Sequence, residues 1–122
     1  MKKILVFICF ALIFSSKAIS KETTYTKELF DKAISDGKVV VVSSWIKYCT
    51  SCSSQMKVLE KAKNDFDNIQ YFAFDVTNKE IANLLNVKFQ TTLLIYKDNK
   101  EVYRSLGETT EDLIYEALKK VI

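Results

Sequence analysis

Val39-Val40-Val41-Val42-Ser43-Ser44-Trp45-Ile46-Lys47-Tyr48-Cys49-Thr50-Ser51-Cys52 is the stretch from which the rest of the chain can be read. The valine run is continuous and β-branched, which predicts a strand buried on both faces, as strands of parallel sheets are. From Cys49 to Phe66 the pattern reads as a loop turning into a helix, with Met56, Leu59, Ala62 and Phe66 facing inward. The C-x-x-C pair therefore falls where a buried strand ends and a helix begins.

That position has chemical consequences. Two intervening residues let the sulfurs meet in a tight ring at the first helical turn. The free N–H groups of that turn and the helix dipole stabilise negative charge there. They favour a thiolate on Cys49 over Cys52, which sits deeper in the helix, and such thiolates are the nucleophiles of disulfide exchange. Cys49 is thus the expected nucleophile and Cys52 the resolving thiol, with no cofactor beyond the redox-active pair. Three plainer readings compete. A structural disulfide would close so short a loop that it removes little unfolded-state entropy. A zinc half-site would lack partners, because the chain has no histidine and its third cysteine is Cys9. The third is a pair of buried, inert thiols.

Working outward, the elements alternate. Residues 21–26 are polar and β-prone, an expected short edge strand. Lys27 to Asp36 spaces Leu29, Phe30, Ala33 and Ile34 as one helix face, ended by Gly37. Ile69 to Val76 reads as a strand with Tyr71, Phe72 and Phe74 in the core. Thr77-x-x-Glu80 predicts a capping box before a short helix. Thr92 to Tyr96 and Glu101 to Leu106 form a predicted hairpin around Lys97-Asp98-Asn99-Lys100. Thr109-x-x-Asp112 is the expected cap of a last helix that buries Leu113, Ile114, Ala117, Leu118 and Val121. The order is (β)αβαβαββα. It predicts an α/β fold with a central mixed sheet of four to five strands and helices on both faces.

The N-terminus reads as an address. Met1-Lys2-Lys3 leads an apolar run from Ile4 to Phe14, and Ser15-Ser16-Lys17-Ala18-Ile19-Ser20 follows with small residues at cleavage spacing. This is the plan of a secretory signal peptide over residues 1–20, cleaved after Ala18 or Ser20. The apolar run spans only about 16 Å as a helix, short of a ~30 Å hydrocarbon core, which argues against an uncleaved membrane anchor, and no stable membrane insertion is expected after cleavage. The short, lysine-led signal looks bacterial and predicts a periplasmic protein, in a compartment where cysteine pairs oxidise. The formal charge of +3 belongs to this segment, which holds Lys2, Lys3 and Lys17 and no acid. The remainder is neutral and carries no basic footprint for nucleic acid.

Trp45 to Cys52 resembles the Trp-x-x-[Trp/Tyr]-Cys-x-x-Cys segment of the thioredoxin family. Val87-Lys88-Phe89-Gln90-Thr91-Thr92-Leu93-Leu94-Ile95-Tyr96 is similar to the family's second signature, in which a cis-proline and a threonine precede an apolar strand. The Lys97–Glu101 turn and Gly107 also match, so the likeness spans about residues 25–122. Phe74-Asp75-Val76-Thr77, with Leu85-Asn86-Val87, is similar to the C-terminal periplasmic domain of the DsbD electron carriers. The resemblance implies a thioredoxin fold over residues 21–122. It also implies dithiol–disulfide exchange with protein partners, with Trp45, Tyr48, Thr50, Ser51, Gln90 and Thr91 shaping the substrate site.

Several positions depart from that pattern. Thr91 stands at the cis-proline, and the chain has no proline at all. A cis bond before a non-proline costs about 2.5–4 kcal/mol, so a trans Gln90–Thr91 bond and a reshaped loop are expected, with the Thr91 hydroxyl available to a sulfur. Ser43 and Ala73 replace the family's buried acid and its lysine neighbour, which leaves proton transfer to a serine, a water, Asp75 or Lys57. Thr50-Ser51 places no histidine between the cysteines, which argues against a strong oxidant and for a reductive or intermediate poise.

The expected protein is an exported, monomeric thiol:disulfide oxidoreductase that acts on protein disulfides or dithiols and draws on a membrane electron donor. The alternatives are a docking module of this fold with weak or no catalysis, or a metal- or cluster-binding relative.

Overall fold

The computed structural model describes residues 24–122. The expected signal peptide and residues 21–23 of the expected edge strand lie outside the described residues.

The elements run α1 (Lys27–Ser35), β1 (Val39–Trp45), α2 (Thr50–Asp65), β2 (Ile69–Asp75), α3 (Lys79–Leu84), β3 (Thr92–Lys97), β4 (Lys100–Leu106) and α4 (Glu111–Lys119). The four-stranded sheet has the order β2-β1-β3-β4. β1 runs parallel to β2, with Val39 opposite Ile69, and antiparallel to β3, with Val41 opposite Ile95. β3 and β4 form the predicted hairpin, Lys97 opposite Lys100. Its tip places Asp98 (φ 52°) and Asn99 (φ 63°) in left-handed backbone, which these short polar side chains tolerate better than others. In the described part of the expected edge strand, Thr24 forms a parallel bridge with Ala73.

The alternation of side chains along each strand divides the interior in two. Val40 and Val42 of β1 join Phe72, Phe74 and Leu94 beneath α1 and α3, where Phe30, Ala33 and Ala82 meet them. Val39 and Val41 join Tyr71, Leu93 and Ile95 on the other face, against Leu59 and Ala62 of α2 and Ile114 and Leu118 of α4. All four valines are at most 2% exposed, so the strand is buried on both faces as its composition predicts.

Two helix starts differ from expectation by one residue. Asn78, not Thr77, caps α3 by accepting the Ile81 N–H at 3.3 Å. Thr77 is engaged elsewhere, because its N–H and hydroxyl both donate to the Asp75 carboxylate. Thr110, not Thr109, precedes α4, and its side chain makes no cap hydrogen bond. Leu113, expected inside, is 49% exposed, while Ile114, Ala117 and Leu118 are buried.

That difference is measurable. Leu118→Ala should lower unfolding stability by about 2–5 kcal/mol, as buried leucine truncations do. Leu113→Ala should stay within about 0.5 kcal/mol of wild type. Urea denaturation of both variants checks it, and equal losses would contradict the register of α4.

Candidate active site

β1 ends at Trp45, and a short turn carries the chain to α2. Tyr48 sits in that turn with φ 62° and a fully exposed ring. Cys49 is the N-cap of α2, in extended backbone, and its sulfur accepts the Cys52 N–H at 3.2 Å. A sulfur thus fills the capping role usually given to a serine or aspartate oxygen. The first turn of α2 holds no acidic residue, so the positive end of the helix is not offset there.

Cys49 and Cys52 are joined in a disulfide, with their Cα atoms 5.3 Å apart. Cys49 is half-buried, whereas Cys52 is 2% exposed. Trp45, Ile46, Lys47, Tyr48, Thr50 and Met56 line an open cleft of about 640 Å³ beside the pair. Trp45 also packs against the α2–α4 core, so it is both wall and core.

The opposite side is closed by Thr91. Its peptide bond to Gln90 is trans, in keeping with the absence of a proline, and no cis bond occurs among the described residues. Thr91 takes φ 60°, an outlying conformation for a β-branched residue. Its N–H donates to the Ser44 carbonyl at 2.8 Å, and its own carbonyl accepts from Gly107 N–H at 2.9 Å and Gln55 Nε2 at 3.2 Å. Its hydroxyl lies 3.1 Å from Cys52 Sγ, 3.6 Å from Cys49 Sγ and 2.9 Å from Ser51 Oγ. Ser51 Oγ is itself 3.4 Å from Cys49 Sγ. Gln90 and Thr50 are exposed, Gln90 at the end of the loop that leads into Thr91.

Of the residues expected to shape the site, Trp45, Tyr48 and Thr50 gather around the cleft, and Ser51 and Thr91 meet the sulfurs. Asp75 and Lys57 do not take the proton-transfer place considered for them. The Thr77 backbone N–H and hydroxyl hold the Asp75 carboxyl below the usual carboxylate range, with the Lys47 charge as a smaller influence. Lys57 is exposed on α2. Among the described residues, neither hydrogen-bonds a cysteine sulfur, and no group of three or more His, Cys, Asp or Glu is placed to hold a metal ion.

Two residues were missed by sequence reasoning. Gln55 is completely buried, and its Nε2 ties the Thr91 carbonyl to the Glu108 carbonyl at 2.8 Å. It lies at helical spacing between Cys52 and Leu59, so a polar residue on an inward face was the available signal. Tyr71 was expected only as core, yet its hydroxyl lies 2.8 Å from the buried Ser43 hydroxyl. Burial pushes the Tyr71 phenol up to about 12, against a smaller lowering from Ser43. A neutral hydroxyl pair therefore occupies the place where the family resemblance puts an acid.

The thioredoxin family model matches residues 21–120, most of the chain. The chain belongs to the thioredoxin family. Thioredoxin-1 of Saccharomyces cerevisiae is 30% identical over 83 residues, covering 67% of this chain and 81% of the yeast protein. An H-type thioredoxin of Oryza sativa is 29% identical over 102 residues, covering 80% of this chain and 84% of its own. Among solved structures, Trxlp from Edwardsiella tarda superposes with a TM-score of 0.71 at 26% identity, covering 77% of this chain and 94% of that one. A point mutant of a thioredoxin from Halobacterium salinarum shares the fold with a TM-score of 0.73 at 21% identity, covering 81% and 88%. With its C-x-x-C disulfide, this thioredoxin-like chain is a thiol:disulfide oxidoreductase.

The Ser43–Tyr71 pair predicts a double-mutant cycle. Tyr71→Phe alone leaves the Ser43 hydroxyl buried without a partner, which should cost about 1–3 kcal/mol, and adding Ser43→Ala should recover most of it. The cycle also has a pH signature. The folded-state pKa of Tyr71 is raised from 10.0 to about 12. Its contribution to stability is therefore complete below pH 10 and lost as pH rises toward 12. Denaturation from pH 9 to 12 should show a shallower fall for Tyr71→Phe than for wild type.

Proposed function

We propose that this protein is exported to the periplasm and exchanges its Cys49–Cys52 dithiol or disulfide with disulfides or thiols of other proteins. Cys49 is the nucleophile and Cys52 the resolving thiol. The observation that carries this reading is the inequality of the two sulfurs. Cys49 is accessible, caps a helix and accepts a backbone N–H, so its thiolate has a ready-made hydrogen bond and the helix dipole behind it. Cys52 is buried, where desolvation opposes a thiolate, so it keeps its proton until the mixed disulfide brings a sulfur within reach.

In the forward direction the Cys49 thiolate attacks a partner disulfide, expelling one partner thiolate and leaving a mixed disulfide on Cys49. Cys52 then attacks Cys49 Sγ, the second partner thiolate departs, and the intramolecular disulfide forms. Two electrons have passed to the partner. The reverse sequence oxidises a partner dithiol. The resident pair is the only redox group this requires.

Thr50 and Ser51 place no histidine between the cysteines, which supports a reductive or intermediate poise. A potential between about −270 and −180 mV is expected, within the thioredoxin to protein disulfide isomerase range, and about −120 mV would mark a strong oxidant and contradict it. A membrane protein that supplies electrons from the cytoplasmic side is the kind of donor such a reductant needs in an oxidising compartment. The lysine-led apolar run at residues 1–20 supports export.

Cys49→Ser should abolish reduction of a disulfide-bonded protein substrate, and Cys52→Ser should instead accumulate mixed disulfides through Cys49. Retention of exchange by Cys49→Ser would overturn the assignment. N-terminal sequencing of the protein from a periplasmic fraction should begin at Ile19 or Lys21, and an intact chain confined to the cytosol would refute export.

A further inference from the structure

We infer that Ser51 and Thr91 form a two-hydroxyl relay that carries the proton to and from Cys52. The inference rests on the exchange reading above and assigns the step that reading leaves open: how a thiol 2% exposed gains and loses its proton.

Among the described residues, the buried polar ones are Ser43, Ser44, Gln55, Thr91 and Thr92. Four of them are committed away from the sulfurs. The Ser43 hydroxyl pairs with Tyr71 at 2.8 Å. The Ser44 hydroxyl donates to the Phe89 carbonyl and accepts from Thr92 N–H. The Thr92 hydroxyl donates to the same Phe89 carbonyl. The Gln55 amide nitrogen bridges two carbonyls, and its oxygen has no partner and cannot ionise. Thr91 is the one whose hydroxyl meets Cys52 Sγ, at 3.1 Å.

The chain continues outward. Ser51 is exposed, and its Oγ lies 2.9 Å from Thr91 Oγ1. Neither sulfur of the disulfide carries a proton, so in the Thr91–Cys52 contact it is the hydroxyl that donates. With its single proton on the sulfur, Thr91 accepts from Ser51. In that arrangement the line runs solvent, Ser51, Thr91, Cys52, with each proton pointing inward.

When a donor thiolate attacks Cys49 Sγ, the Cys49–Cys52 bond breaks and Cys52 leaves with the electron pair. It takes the Thr91 proton, Thr91 takes that of Ser51, and Ser51 is replenished from water. In the resolving direction Cys52–SH returns its proton along the same line, and the thiolate attacks Cys49 Sγ and expels the partner thiolate.

The test uses single-turnover kinetics of the reduced protein with an aromatic disulfide whose released thiol absorbs light. The first release reports attack by Cys49 and the second reports resolution by Cys52. Thr91→Val keeps the β-branched shape and removes only the hydroxyl. It should slow the second release by at least about tenfold, since positioned proton transfer contributes roughly 10²–10⁴-fold and water takes over part of the role. The first release should change far less. Thr91→Ser should restore the second release. Ser51→Ala should slow it by a smaller factor. In heavy water, wild type should show a larger isotope effect on the second release than Thr91→Val. A wild-type second release in Thr91→Val with an unaltered isotope effect overturns the relay. Failure of Thr91→Ser to restore the rate assigns the loss to packing and also overturns it. Absence of the first release in wild type overturns the exchange reading itself, and the relay with it.

Discussion

The structure depends on one strand being hydrogen-bonded on both edges and packed on both faces. β1 pairs with β2 on one side and β3 on the other, and its valines feed two separate cores. A strand so placed has little freedom of register, because a one-residue slip would exchange the two cores. The position where its chain emerges is therefore fixed. At that end the Trp45 carbonyl accepts Val76 N–H, and the Ser44 carbonyl accepts Thr91 N–H, each at 2.8 Å. Two segments distant in sequence are pinned to the same strand end, and Cys49 follows a short turn later.

Thr91 shows what that pinning does locally. A non-glycine residue in the left-handed region costs about 1–3 kcal/mol unless its surroundings over-determine it. Here the backbone N–H, the carbonyl and the hydroxyl of Thr91 are all engaged. Net contributions of about 0.5–1.5 kcal/mol from each hydrogen bond are enough to offset the strain. Gln55 serves the same end from α2. By holding the Thr91 and Glu108 carbonyls together, it fixes the loop to the helix that bears the cysteines. The hydroxyl of Thr91 can face Cys52 because its backbone is not free to turn away.

Much of this was legible locally. The valine run names a doubly buried strand, the Cys49–Cys52 spacing names a tight sulfur ring, and Asp98-Asn99 names a hairpin turn. Each signal resides in a few consecutive residues. The helix starts misled because a capping motif identifies an acceptor without knowing its rivals. Thr77 fits the box, but Asp75, two residues earlier, claims its N–H and hydroxyl first. The contacts that complete the site are long-range. Ser43 and Tyr71 are 28 residues apart, and Cys52 and Thr91 are 39 apart. No periodicity relates such positions, and only the register of the sheet and the seating of α2 bring them together.

The polar groups around the disulfide are neutral, and this gives the two cysteines different characters. The buried side offers hydroxyls and one amide, with Tyr71 holding its proton to about 12. No buried carboxylate among the described residues adds a negative charge beneath Cys52. The first turn of α2 likewise holds no acid to weaken its positive end. The field of the helix terminus therefore acts on Cys49, which caps it, without an acidic side chain of that turn to oppose it. Three residues further on, Cys52 feels mainly the loss of water. Two chemically identical side chains in one helical turn are made unequal by position alone. That inequality is the physical ground on which the proposed division of labour rests, with Cys49 opening the exchange and Cys52 closing it.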